Sequence, residues 1–221
     1  MEELFKQLGI NPNKMYLYES AFSHSSYVHE KHLKADYERL EFLGDAVLEL
    51  SISDYLYKHK KAKEGDMTKM RASYVCENAL FEYAKGLNLS NYVKVGNGEE
   101  HDGGRYKKVI LADIFESLMG AIYLDLGFEV AKKVILDIIT PYIEDENCIF
   151  FSDYKSALQE FVQTEQKSLT YELVKEEGPA HQKTFTMQVI VDGILFGTGS
   201  AASKKEAEQE AACDALKKLA K

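Results

Sequence analysis

The sequence predicts two domains: an all-α domain at 1–147 and a small α+β domain at 153–221 with the order α-β-β-β-α, joined by a linker at 148–152. Two observations support this prediction. The first domain is dominated by apolar residues at helical spacing, and its clearest stripe is Leu40, Leu43, Val47, Leu48 and Ile52. From residue 153 the pattern changes to one helix, three short strand-like runs and a last helix.

Two features divide the all-α domain. Gly96, Gly98, Gly103 and Gly104 predict one long loop between helical segments. They do not form a dinucleotide-binding fingerprint, because no strand precedes them. The helical pattern ends near residue 140, just before Pro141 and a polar EDEN stretch, so we place the short linker after this stretch.

The α+β domain carries turn and cap signals between its elements. We predict a helix at 153–166, strands at 169–176, 183–192 and 194–202, and a final helix that opens with Ser203. Asp192-Gly193 lies between two strand-like runs and is typical of a tight β-hairpin. Ser203 and Glu206 form a capping box, in which the two side chains satisfy free N–H groups at the start of a helix.

The composition indicates a globular protein with reduced thiols. Hydrophobic residues make up 45% of the 221 residues, which is enough for packed cores. Cys76, Cys148 and Cys213 lie far apart and lack metal-ligand spacing. The N-terminus has no signal-peptide pattern, and no stretch reaches the roughly 18 apolar residues of a membrane span. We therefore expect a cytoplasmic protein that does not bind a membrane.

The net charge of −9 argues against a generic nucleic-acid-binding protein, which usually has a basic surface. Residues 153–221 hold 9 Lys+Arg and 11 Asp+Glu, a net charge of −2, so −7 lies before them. An acidic pocket for divalent cations in the first domain would account for this distribution, because each ion offsets two carboxylates. A solvated acidic surface is the simpler alternative.

Five carboxylates lie in two strongly apolar helical segments. Glu38, Glu41 and Asp45 are spaced by three and four residues, which places them on one helix face, and Asp113 and Glu116 repeat this spacing. Acids in such apolar surroundings must be paired or bound to a metal, and basic residues are scarce near them. If the helices face each other, the acids form an oxygen-only cluster, which suits Mg²⁺ or Mn²⁺ rather than zinc.

Geometry separates the roles within the first of these helices. Residues i and i+4 are neighbours, so Glu41 and Asp45 can share an ion. Glu38 and Asp45 are seven residues apart, about 10 Å along the helix axis. We therefore expect Glu38 to support the site rather than bind the ion directly.

These segments resemble the ribonuclease III family. ERLEFLGDA at 38–46 is similar to the family signature, LADIFESLMGAIYLD at 111–125 to its second acidic helix, and FSHSSY at 22–27 to a further family segment. The α-β-β-β-α tail resembles a double-stranded-RNA-binding domain. The resemblance implies an all-α nuclease domain followed by an RNA-binding domain, and it covers nearly the whole chain.

The resemblance also implies roles for individual residues. Glu41, Asp113 and Glu116 match the metal ligands of the family, and Asp45 matches an acid that is required for cleavage and belongs to the metal site. Glu64, followed by Gly65, matches a further acid near the catalytic valley, although a surface glutamate is the alternative interpretation.

Two more positions compare with the family in different ways. Phe42 matches an aromatic that fills a socket on the partner subunit, and packing in its own core is the alternative interpretation. Lys108 stands where the family often has glutamate, which leaves the substrate contacts of that loop in doubt but no catalytic position.

The predicted RNA-binding residues lie in the second domain. Lys204 and Lys205 follow Ser203 in the first turn of a helix, where the helix dipole disfavours cations, so an anion such as phosphate is expected there. A charged surface turn is the alternative. Gln159 and His181 match family positions that contact the minor groove of an RNA duplex, where 2′-hydroxyl groups are exposed.

The resemblance implies a homodimeric, Mg²⁺-dependent endoribonuclease that cleaves both strands of a duplex, with a role in processing ribosomal and other structured RNA. The products would carry 5′-phosphate and 3′-hydroxyl ends with short 3′ overhangs, and no small-molecule cofactor is expected. Two alternatives remain: an RNA-binding protein with a relic nuclease domain, and a small-molecule metallohydrolase. Loss of a cluster acid would favour the first alternative, whereas the RNA-binding tail argues against the second.

Overall fold

The computed structural model describes residues 1–145, 154–165, 167–179 and 183–219. The chain divides into two compact units, Met1–Phe151 and Ser152–Lys221, and each has its own hydrophobic core. The first unit is helical and the second has the order α-β-β-β-α, so the predicted fold class is confirmed. The predicted linker at 148–152, with Cys148, lies outside the described residues.

The first unit packs helices of very different length around one core. Two 3₁₀ turns, Leu89–Asn91 and Gly104–Tyr106, connect some of them. The helices are α1 (Glu2–Leu8), α2 (Met15–Ala21), α3 (Ser25–Glu30), α4 (Glu38–His59), α5 (Glu64–Tyr74), α6 (Glu77–Gly86), α7 (Asn97–His101), α8 (Lys108–Leu126) and α9 (Phe128–Glu144).

Helices α4 and α8 form the centre of this unit and touch backbone to backbone. A Cβ atom on Gly44 would overlap the main-chain carbonyl oxygen of Glu116, and one on Gly120 would overlap that of Leu40. Side chains are therefore excluded from the crossing point, and the axes approach more closely than usual. Because Glu41 lies one turn before Gly44, this contact brings the acidic residues of the two helices together.

The region of the predicted long loop is partly helical, which corrects that prediction. Helix α7 and a 3₁₀ turn lie within it. The carboxylate of Glu30 accepts hydrogen bonds from the backbone N–H and the side-chain amide of Asn97, which satisfies the start of α7. The side chain of Arg105 donates to the carboxylate of Glu100 and closes the segment.

Helix α9 continues past residue 140, where the helical pattern was predicted to end. Pro141 lies inside its last turn, and the helix ends at Glu144. Proline removes one helical hydrogen bond, but the residues that follow it are anchored by packing. Ile143 is buried in the core, and the ring of Tyr142 lies 5.0 Å from that of Tyr83.

The second unit is a three-stranded antiparallel sheet in the order β1-β2-β3, with a helix before and after it in the sequence. Each strand boundary lies within one residue of the prediction. The elements are α10 (Tyr154–Thr164), β1 (Leu169–Glu177), β2 (Thr184–Val191), β3 (Ile194–Ala201) and α11 (Lys204–Leu219).

Local signals explain why these boundaries were predictable. Asp192 and Gly193 have φ angles of 49° and 78°, as a two-residue hairpin requires. Ser203 forms the N-cap contact of the predicted capping box: its hydroxyl accepts the backbone N–H of Glu206 at 3.2 Å and donates to the Glu206 carboxylate at 3.0 Å. Within the described ranges, none of the helices combines the length and hydrophobicity that a membrane crossing requires.

Candidate metal centre

A compact group of carboxylates lies where α4 and α8 cross. Glu41, Asp113 and Glu116 each offer an oxygen, and the three oxygens lie within 4.8 Å of one another. Asp113 and Glu116 share a face of α8 because they are three residues apart, and the glycine contact brings Glu41 against them. We call these three residues the carboxylate group.

The other predicted acids lie outside the carboxylate group. Asp45 is exposed on α4, one turn after Glu41, and its charge acts on both Glu41 and Glu116. Glu38 is exposed at the first position of α4, and its charge acts on Glu41 and Asp113. Glu64 begins α5, accepts a hydrogen bond from the Thr68 hydroxyl at 3.1 Å, and lines a different pocket beside the second half of α4.

Burial and mutual repulsion raise the pKa values of the carboxylate group. The pKa of Glu116 rises to about 8, mainly because of burial and in part because of the charges of Asp45, Glu41 and Asp113. The pKa of Glu41 rises to about 7, again mainly because of burial, with Asp113 the largest charge effect. The charges that act on these two glutamates are carboxylates, so the cluster favours a proton or a cation near neutral pH.

Asp113 differs from the two glutamates because it has a buried neutral hydrogen-bond donor. The phenol hydroxyl of Tyr37 donates to Oδ2 of Asp113 at 3.0 Å. Burial raises the pKa of Asp113, whereas the Tyr37 hydrogen bond acts in the opposite direction. Neither Tyr37 nor His24 was predicted as a site residue, although His24 lies in the FSHSSY run.

The donor set fits a hard divalent cation. Its ligands are all oxygens, and three carboxylates supply more negative charge than one such ion neutralises. Zinc sites in proteins normally include histidine or cysteine, and the carboxylate group contains neither. Asp45, at the exposed edge, could extend the set toward solvent.

The structure also shows the surroundings of Phe42 and Lys108. The Phe42 side chain is 82% exposed, so the interpretation that it packs in its own core is wrong. Lys108 begins α8, and its Nζ lies 3.5 Å from Oε1 of Glu77. The charge of Glu77 in turn acts on Asp113, so Lys108 partly offsets an acid near the carboxylate group.

The predicted RNA-binding residues of the second unit are accessible where they are described. Gln159 is exposed on α10. Ser203 caps α11, and Lys204 and Lys205 form its exposed first turn, with the Lys204 Nζ 5.7 Å from the Phe185 ring centre. His181 lies outside the described residues.

A helical unit with an oxygen-only carboxylate group, followed by an α-β-β-β-α unit, is the arrangement expected of a two-domain protein that acts on RNA with the help of a divalent cation. Comparison with known proteins is consistent with this class. A family profile described as Ribonuclease-III-like matches residues 14–143, and one described as Double-stranded RNA binding motif matches residues 154–219.

Individual relatives extend the match over the whole chain. The protein named Ribonuclease 3 from Onion yellows phytoplasma is 47% identical and covers 100% of this chain and 92% of its own length. Ribonuclease 3 from Listeria innocua is 48% identical, and the match covers 99% of this chain and 97% of the relative. A solved nuclease domain of ribonuclease III from Campylobacter jejuni covers 66% of this chain and 98% of its own, with 36% identity and a TM-score of 0.61.

A second structure of that Campylobacter jejuni domain, which describes flexibility in a region involved in dimer formation, has 39% identity and a TM-score of 0.59 and covers 63% of this chain and 96% of its own. The chain belongs to the ribonuclease III family. It is an endoribonuclease with a nuclease domain and a double-stranded-RNA-binding domain.

The raised pKa of Glu116 predicts a pH-dependent effect of Glu116→Gln on the metal-free protein. The folded state binds this proton more tightly than the unfolded state, so stability falls as pH rises from about 4.5 to about 8. Glutamine does not ionise and removes this loss. In urea unfolding with a chelator, the variant should gain roughly 1–3 kcal/mol over the native protein at pH 8, with little gain at pH 5.

The control for this measurement is Glu19→Gln, which neutralises an exposed carboxylate on α2. It should leave the pH dependence of stability unchanged. A Glu116→Gln variant with the same pH profile as the native protein would contradict the electrostatic account of the cluster.

Proposed function

We propose that this protein hydrolyses phosphodiester bonds in both strands of double-stranded RNA as a cytoplasmic homodimer that uses Mg²⁺, with Mn²⁺ able to substitute. The observation that supports this most strongly is the carboxylate group at the crossing of α4 and α8 in a chain that also carries a double-stranded-RNA-binding domain. Ribosomal and other structured RNAs are the proposed substrates.

Glu41, Asp113 and Glu116 would hold the cation, and Asp45 completes the site at its exposed edge. When bound, a divalent cation would lower the pKa of the attacking water and neutralise charge on the phosphate. Asp45 and Glu116 are the acids we assign to proton handling in cleavage, because Asp45 is exposed and its charge has the largest effect of any neighbouring acid on Glu116. Glu38 would assist by adding negative charge beside Glu41 and Asp113, which raises their pKa values and favours a cation between them.

The exposed face of α4 supports a two-fold dimer. Phe42, Leu50 and Tyr57 are 82%, 57% and 78% exposed, and their spacing of eight and seven residues puts them on one stripe. A cavity of about 310 Å³ lies at the far end of this stripe and is lined by Ser53, Leu56, Tyr57, Glu64, Met67, Thr68 and Arg71.

A two-fold axis near Leu50 would pack α4 antiparallel against its copy, because Leu50 lies midway between Phe42 and Tyr57. Phe42 of each subunit would then reach the cavity of the other. Glu64 lines that cavity, so it would lie beside the partner's acidic site, which flanks Phe42 in sequence. This arrangement supports a catalytic role for Glu64 that acts between subunits.

Symmetry also accounts for the proposed products. Two sites related by a two-fold axis can each cleave one strand of the same duplex. Sites set across a minor groove leave short 3′ overhangs, with 5′-phosphate and 3′-hydroxyl ends. Gln159, His181, Ser203, Lys204 and Lys205 are the proposed contacts to the duplex, with the lysines at the helix N-terminus facing phosphate.

The two alternative functions are less well supported. All the acids that the carboxylate site needs, Glu41, Asp45, Asp113 and Glu116, are present, which disfavours a relic nuclease domain. A small-molecule metallohydrolase would have no use for the double-stranded-RNA-binding domain. Assay of a generic phosphodiester alongside duplex RNA distinguishes this second alternative.

Glu116→Gln should separate cleavage from binding. The amide keeps the shape of the side chain but removes a charge that the cation needs, so cleavage of a long RNA duplex at low Mg²⁺ should fall by orders of magnitude. Duplex affinity should persist or rise, because phosphate is repelled less. Product-end mapping and a binding assay measure the two effects, with Glu19→Gln as the control. Full cleavage by Glu116→Gln at low Mg²⁺ would contradict the assignment of Glu116 as a metal ligand.

Phe42→Ala should weaken the dimer. Removing a fully buried phenylalanine costs roughly 3–5 kcal/mol, so dissociation should appear at much higher protein concentration. Sedimentation measures this, and Tyr106→Ala, which removes a different aromatic that is 67% exposed, is the control. An unchanged dimer at low concentration in Phe42→Ala would rule out the proposed interface.

A further inference from the structure

The FSHSSY run and Tyr37, the residue before the acidic signature, have no role in the chemistry described above. Tyr37 nevertheless contacts Asp113, and His24 of the FSHSSY run contacts Tyr37. Tyr37 precedes α4, and its side chain is only 6% exposed. Its hydroxyl donates to Oδ2 of Asp113 at 3.0 Å, across 76 residues of sequence. A buried hydroxyl requires a partner, and here that partner is a residue of the carboxylate group.

Tyr37 is itself fixed from two sides. The ring of His24 stacks on the Tyr37 ring, with centroids 5.6 Å apart and an interplanar angle of 27°. The backbone N–H of Tyr37 donates to the carbonyl oxygen of Ser23 at 3.1 Å. The phenol therefore has little freedom to turn away from Asp113.

His24 is held in turn by the neighbouring loop. Its Nδ1 accepts the backbone N–H of Ser26 at 3.2 Å and lies 2.8 Å from the Ser26 hydroxyl oxygen. That hydroxyl oxygen also accepts the backbone N–H of Gly96 at 2.9 Å. The backbone N–H of His24 donates to the Lys94 carbonyl oxygen at 3.0 Å. A continuous set of contacts thus runs from the 94–96 segment to Asp113.

We propose that Tyr37, held in place by His24, is a positioning residue that fixes the orientation of the Asp113 carboxylate for metal binding. The inference rests on the proposed function, because it takes Asp113 as a metal ligand. One oxygen of Asp113 accepts the hydrogen bond from the phenol hydroxyl. This bond favours a single orientation of the Asp113 side chain relative to Glu41 and Glu116. Loss of such a supporting hydrogen bond typically costs 10–100-fold in metal affinity.

The chain offers a matched control in Tyr18. This tyrosine is fully buried, and its hydroxyl donates to Oδ2 of Asp125 at 3.0 Å, on the same helix α8. Asp125 lies 12 residues beyond Asp113, about 18 Å along the helix axis, and therefore far from the carboxylate group. Tyr18→Phe removes the same kind of hydrogen bond without touching the metal site.

The test is the dissociation constant for Mn²⁺, measured on the full-length protein by the electron paramagnetic resonance of free Mn²⁺. Tyr37→Phe should raise this constant by about 10–100-fold, whereas Tyr18→Phe should leave it within about twofold of the native value. His24→Phe keeps a ring beside Tyr37 but removes the acceptor of the Ser26 N–H. It should shift the constant in the same direction by a smaller factor and provides a second variant if Tyr37→Phe folds poorly.

Three results would overturn the inference, and the third differs from the first two in what it says about the metal site. Native affinity in Tyr37→Phe, or an equal loss in Tyr18→Phe, would show that the Tyr37 hydroxyl contributes only to folding, while the metal site itself stands. If Glu116→Gln binds Mn²⁺ as tightly as the native protein, the carboxylate group is not the metal site. The proposed function then fails together with the inference.

Discussion

The backbone contact between α4 and α8 is the constraint on which the rest of the nuclease domain depends. Any side chain at Gly44 or Gly120 would meet a main-chain carbonyl of the other helix, so only glycine permits the observed approach. Glu41 lies one turn from this contact, and Glu116 supplies one of the carbonyls. The helix packing and the carboxylate group therefore depend on the same contact, and a change in the separation of the helices would change the spacing of the carboxylates.

This arrangement concentrates negative charge in the partly buried carboxylate group, which lowers the stability of the folded state. Burial raises the pKa values of Glu41 and Glu116, and each neighbouring acid raises them further. The cost is tolerable because α8 buries a large apolar surface, with Ile114, Phe115 and Leu118 fully enclosed. A divalent cation held by the proposed ligands would reduce this repulsion, and its binding would then stabilise the folded state.

The parts of the fold that depend on local sequence were predictable. The hairpin at Asp192 and Gly193 and the N-cap at Ser203 are set by neighbouring residues, and both were predicted correctly. The helix α7 was missed because its start is satisfied by Glu30, which lies 67 residues away in the sequence. Glycine-rich composition alone indicates a loop there, and no local pattern reveals a distant cap.

In the candidate site, too, local features were predictable from the sequence and contacts between distant residues were not. The spacing and apolar surroundings of Glu41, Asp113 and Glu116 predicted a cluster, although their meeting required the assumption that the two helices face each other. Tyr37 was not predicted, because its partner Asp113 is distant in sequence and a tyrosine beside a helix start usually indicates core packing. The FSHSSY run was the available signal, but only the structure connects His24 with Tyr37.

The most direct test of the metal site is anomalous X-ray scattering from crystals of the protein grown with Mn²⁺. A single strong manganese peak, or a close pair, should lie within about 2.0–2.4 Å of carboxylate oxygens of Glu41, Asp113 and Glu116. Manganese bound only elsewhere on the protein, with these carboxylates free at saturating Mn²⁺, would contradict the assignment of the α4–α8 crossing as the metal centre.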